Sequence, residues 1–135
     1  MSFELYVSTF RDEEFFYFPA VHIRMHFSPI IVGQRHGSWC LGFDEGRSFG
    51  EIPMADGPLE HGFSVRRPPD HPVFWTIIAR FLVEFGAVLY WPGGGMVVAR
   101  ANIVPHLPKS MVEGLGEPWI TTDPEQIRHY IRETS

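Results

Sequence analysis

Residues 70–100 constrain the fold more than any other stretch of the chain. Asp70, His71 and Pro72 can open a helix. Val73, Phe74, Ile77, Ile78, Phe81, Leu82 and Phe85 then recur at helical spacing until Gly86 ends it. Two apolar runs follow, Val88-Leu89-Tyr90-Trp91 and Met96-Val97-Val98-Ala99, joined by the turn Pro92-Gly93-Gly94-Gly95. The polar residues Thr76, Arg80 and Glu84 are spaced by four and stack in one narrow stripe, so the rest of the helix surface is apolar. A helix with so wide an apolar arc needs cover on more than one side. The expectation is an α+β fold: a curved, mainly antiparallel sheet packed around a central buried helix, with short C-terminal helices closing over it. At about 1.5–3 kcal/mol per fully buried side chain, this helix is the largest block of stabilisation in the chain.

Upstream, residues 3–10 alternate as a first strand, with Phe3, Leu5 and Val7 on one face, and Arg11-Asp12-Glu13-Glu14 interrupts it. Val21, Ile23, Met25 and Phe27 alternate with His22, Arg24, His26 and Ser28. The alternation leans towards a strand, while Pro19 is also well placed to start a short helix, so residues 19–28 stay open between the two. Residues 39–43, 48–54 and 62–67 read as an antiparallel meander, turning at Asp44-Glu45-Gly46 and Ala55-Asp56-Gly57-Pro58. Pro68 and Pro69 end its last strand and leave Asp70 to cap the helix. Downstream, residues 108–115 form a short helix stopped by Gly114 and Gly116, and Trp119-Ile120 is extended. Asp123-Pro124-Glu125-Gln126 opens a last helix that turns Ile127, Tyr130 and Ile131 inward. With no internal repeat, low-complexity tract or linker, residues 1–135 read as one domain.

Sixteen acidic against eleven basic residues give a net charge of −5, the wrong sign for tracking a phosphate backbone. A basic protein surface suits it, and nucleic acid is not an expected partner. The single cysteine, Cys40, rules out an intramolecular disulfide and a four-cysteine zinc site. Between Trp39 and Leu41 it reads as a small buried hydrophobe rather than a nucleophile. A basic leader and an apolar run of about 18 residues are both lacking, so the expectation is a cytoplasmic protein that does not span a membrane.

His22-x-x-x-His26 has zinc-ligand spacing on a helix, but the glutamate of a metalloprotease motif is missing and Arg24 adds repulsive charge. No metal is expected there. The glycine turn lacks the Gly-Lys-Ser/Thr ending of a phosphate-cradling loop, and no cofactor is expected. The candidate partner-binding residues are the mixed-charge cluster Arg66, Arg67, Asp70 and His71, and the aromatic rim Tyr90 and Trp91.

From residue 62 onward, three segments resemble small bacterial proteins of the toxin-immunity type: Phe63-Ser64-Val65-Arg66-Arg67-Pro68, Val88-Leu89-Tyr90-Trp91-Pro92-Gly93, and His106-Leu107-Pro108-Lys109-Ser110-Met111 with Leu115-Gly116. The resemblance covers about half the chain and carries no catalytic residue with it. It implies a non-enzymatic protein that neutralises a toxin, a basic domain by charge, by occluding it. The alternative is a small enzyme or small-molecule-binding protein that gathers Arg66, Asp70, His71 and His106 in a pocket between the central helix and the sheet.

Overall fold

The alternation of residues 4–8 becomes strand β1 (Glu4–Ser8), which buries Leu5 and Val7. The acidic break that follows is the tip of a hairpin of two short strands, β2 (Phe10–Arg11) and β3 (Glu14–Phe15). Its turn residues Asp12 and Glu13 have φ of 51° and 69°, the two positive values of a type I′ turn. Next come β4 (Phe18–Pro19), α1 (Val21–Phe27), a 3-10 turn (Ser28–Ile30), and strands β5 (Ile31–Arg35), β6 (Ser38–Gly42) and β7 (Ser48–Pro53). Strands β8 (Leu59–Glu60) and β9 (Gly62–Arg66) precede α2 (Pro72–Phe85), β10 (Val88–Tyr90) and β11 (Met96–Val98). A second 3-10 turn (Ala101–His106), α3 (Lys109–Leu115), β12 (Trp119–Ile120) and α4 (Pro124–Thr134) complete the chain. This computed structural model describes residues 3–43 and 48–134, so the turn expected at Asp44-Glu45-Gly46 lies outside the described residues.

Helices and strands thus mix in an α+β architecture built on one eight-stranded sheet, in the order β12-β11-β10-β1-β9-β7-β6-β5. Every neighbouring pair is antiparallel except β11 with β12. The ladders align Leu5 with Val65, and Val7 with both Phe63 and Leu89, while Leu89 pairs with Val97. These apolar residues share one face because side chains two apart point the same way. The helical layer covers that face, since Phe63 meets Phe81 of α2 at 5.0 Å and Phe27 of α1 at 5.3 Å. The opposite face carries Tyr6, Ser8 and Tyr90.

Helix α2 buries Phe74, Trp75, Ile77, Ile78, Ala79, Phe81 and Leu82, and ends at Gly86 with φ 59°, a left-handed conformation that glycine adopts at little cost. Its cap is His71 rather than Asp70: the His71 Nδ1 accepts from the Val73 N–H at 3.1 Å. Asp70 sits one residue too early to reach those amides. Asp123 does cap α4, accepting from the Glu125 N–H at 2.9 Å. Gln126, three residues on, accepts from the Thr121 hydroxyl instead of turning back to the cap. Ile127 and Ile131 are buried.

Residues 21–27 are helical, which corrects the lean towards a strand. A segment apolar at every second position also holds apolar pairs four apart, and the two periods cannot be told apart over seven residues. The helix buries Ile23 and Phe27 and leaves Val21 and Met25 exposed. Among the described residues, no helix is long and apolar enough to cross a membrane.

Candidate protein-binding site

The tight β2–β3 turn puts Phe10 opposite Phe15, with their rings stacked at 5.0 Å. Three hydrogen bonds fasten the hairpin tip to the segment that opens α3. The Asp12 N–H donates to His106 Nδ1 (3.1 Å), the Glu13 N–H to the His106 carbonyl (3.0 Å), and the Lys109 N–H to Glu13 Oε1 (3.2 Å). These bonds hold two non-glycine residues in the left-handed region, a conformation that persists only where its surroundings enforce it.

Between the fastened hairpin and α3 lies an open groove of about 760 Å³ on the sheet face away from α2. Tyr90 forms its floor, stacked on Tyr6 at 5.5 Å with its hydroxyl 3.1 Å from Ser8 Oγ. Burial first, and the Glu4 carboxylate second, raise the Tyr6 phenol pKa. One wall is Phe10, Glu13, Glu14, Phe15 and Tyr17, and the other comes from Pro108, Ser110, Met111 and Leu115. The charged side chains of the lining are both carboxylates.

Phe15, Phe16 and Tyr17 are consecutive and 50%, 40% and 54% exposed. Phe15 stacks on His61 at 3.8 Å, and Tyr17 meets the same imidazole edge-on at 5.4 Å. The backbone of this run is fixed as well: the Phe16 N–H donates to the Thr9 carbonyl at 2.9 Å, and the Thr9 hydroxyl donates to the Phe16 carbonyl. Rings held in place before binding lose little freedom when a partner arrives. Contiguous exposed aromatics mark interaction surfaces, and pocketed aromatics are the usual anchors of an interface.

Of the residues singled out in the sequence, Tyr90 lies in this groove. Trp91 is fully buried, which corrects its place in an exposed rim. Its Nε1 donates to Thr134 Oγ1 at 2.8 Å, and its ring stacks on Trp119, which in turn stacks on Tyr130. Arg66 and Arg67 come together on Glu51 at 3.3 and 3.4 Å, and Arg66 also donates to Ser38 Oγ at 2.8 Å. Asp70 belongs to a different network. It accepts from Arg128 through both carboxylate oxygens, at 2.5 and 2.9 Å, and from Trp75 Nε1 at 3.1 Å. The Arg128 bonds, aided by Trp75 and opposed by burial, lower the Asp70 pKa to about 2, and the same pairing raises that of Arg128. His71 caps α2 and stacks on Phe43 at 3.8 Å, while His106 serves the hairpin. Arg66, Asp70, His71 and His106 therefore each have different partners.

His22 and His26 do share a helical face, but both rings pack against Phe85, and His26 pairs with Glu84. Among the described residues, no three His, Cys, Asp or Glu side chains are grouped to hold a metal ion. Cys40 is buried and unbridged.

Reading the sequence missed Glu13, Glu14, Phe15, Tyr17 and Met111. The available signal was the run Phe15-Phe16-Tyr17-Phe18 directly after Asp12-Glu13-Glu14, too many consecutive rings for one face of a strand to bury. Compared with known proteins, the chain matches no family model, no curated protein and no solved structure.

Proposed function

We propose that this chain is a non-enzymatic bacterial protein that binds another protein in the groove between β2–β3 and α3, and that it acts as an immunity protein does, by occluding a cognate toxin. The observation that carries the proposal is the exposed run of Phe15, Phe16 and Tyr17 beside the carboxylates of Glu13 and Glu14. Aromatic area supplies affinity once water is excluded. The net charge of −5 supports a basic partner, because opposite charge steers encounter and rejects acidic competitors. In the same reading residues 1–135 act as one cytoplasmic domain whose sheet curves about α2 as the central helix, leaving the far face to the partner.

The test is site-specific crosslinking. A photoreactive residue replaces Phe15 on the groove in one version of the protein, and Val83, an exposed residue of α2, in another. Expressed in the native host, the first is expected to crosslink to one basic protein that then re-forms a complex with the wild-type chain from purified components. Equal labelling from both positions, or none from Phe15, overturns the proposal.

A further inference from the structure

We infer that the groove is built to receive a guanidinium group, the side chain of an arginine in an extended segment of the partner. The inference rests on the reading of the groove as a protein-binding site and adds which chemistry it recognises. The hairpin already contains one such contact, because Arg11 places its guanidinium 4.1 Å from the centre of the Phe16 ring. That ring is thereby occupied, and of the rings that line the groove Phe15 already stacks on Phe10 and His61 and Tyr90 on Tyr6, which leaves Tyr17, 54% exposed and in edge contact with His61, as the ring to receive the cation. Planar guanidinium stacks on aromatic faces in a way that ammonium does not, and it forms paired hydrogen bonds with a carboxylate.

The carboxylates are placed for this. One oxygen of Glu13 accepts from the Lys109 N–H and anchors the wall. The Glu14 carboxylate forms no hydrogen bond or ion pair among the described residues and lines the groove. No arginine or lysine side chain is part of the lining, and Arg11, which stands opposite Glu14 in the β2–β3 ladder, has its guanidinium turned over the Phe16 ring. Met111 on the opposite wall offers a flexible thioether that can pack against the aliphatic stem of the arginine.

The test uses the full chain and a defined peptide, Gly-Ser-Arg-Gly-Arg-Ser-Gly, beside a copy in which citrulline replaces both arginines. Citrulline keeps the planar shape and removes the charge. Binding is followed by fluorescence anisotropy of a labelled peptide at two salt concentrations. The arginine peptide is expected to bind, and the citrulline peptide to bind about tenfold more weakly or not at all. Glu14→Gln and Tyr17→Ala are each expected to weaken binding by about three- to tenfold. Asp56→Asn, which removes an exposed carboxylate outside the groove, should leave it unchanged. Equal affinity for the two peptides, no binding to either, or as large a loss with Asp56→Asn as with Glu14→Gln overturns the inference. Unchanged melting temperatures will show that the exposed substitutions leave the fold intact. The two readings fail separately. A partner crosslinked at Phe15 whose affinity ignores Glu14→Gln refutes arginine recognition alone, whereas absence of any crosslinked partner refutes the binding site itself.

Discussion

Asp70 joins the start of α2 to α4 through Arg128, and the strength of that tie follows from the structure. The carboxyl pKa falls from 3.8 to about 2. At about 1.4 kcal/mol per pKa unit, the gain is capped near 2.5 kcal/mol. The Asp70 side chain is 55% exposed, and solvent screening at such a site reduces the pair to about 1 kcal/mol. Because the folded pKa lies below the unfolded one, this stability is fully present above pH 3.8 and is lost as the pH falls through about 2. Urea denaturation of the wild type, Asp70→Asn, Arg128→Gln and the double variant is the appropriate cycle. The asparagine Oδ1 keeps the bond from Trp75 Nε1, so the coupling isolates the charged pair. We expect a coupling of about 1 kcal/mol at pH 7 that shrinks towards zero near pH 2. A coupling below about 0.3 kcal/mol at pH 7, within the error of additivity, would refute the reasoning. So would one that is the same at both pH values.

Three further outcomes follow from the packing. His71→Ala should lower stability by about 1 kcal/mol in chemical denaturation, while His71→Asn, which retains a capping acceptor, should cost far less. Gly94→Ala would place a methyl group 1.7 Å from Trp91 Nε1. The expected loss is about 3 kcal/mol, with a red shift in tryptophan emission as the Trp91 ring is displaced. Ile127→Ala should destabilise by about 2–5 kcal/mol. Ile120→Ala, at a side chain 52% exposed, should stay within about 0.5 kcal/mol, and thermal melting distinguishes the two.

Helix α2 and the hairpin after it were legible because their signals are local: apolar residues at helical spacing, Gly86 after the last of them, and glycines between two apolar runs. The first cap was misplaced by one residue because the side chains of Asp70 and His71 can both accept, and the last extended residue before the helix is His71, which leaves Asp70 one position too early and free to pair with Arg128 on α4. Segment 21–27 carried two periods at once. What settles it is whether Ile23 and Phe27 share a face with Phe63 and Phe81 nearby, which are distant in sequence. The fate of Trp91 was illegible for the same kind of reason, since Thr134 and Trp119 enclose it from far downstream. The groove brings residues 10–17 against residues 108–115, and no periodicity within either segment announces the meeting.

Strand β1 stands between β10 and β9, and among the described residues it is the strand that joins the two halves of the sheet. Its ladder partners, Val65 and Leu89 among them, come much later in the chain. A sheet that depends on such remote pairings closes late and slowly, because the entropy of a long loop must be lost before any contact compensates for it. Until then β9 and β10 each present an open edge, the kind of surface on which chains pair with one another. Deleting residues 4–8 would therefore leave two separate ladders with two permanently unpaired edges, and the consequence would be aggregation rather than a smaller folded protein.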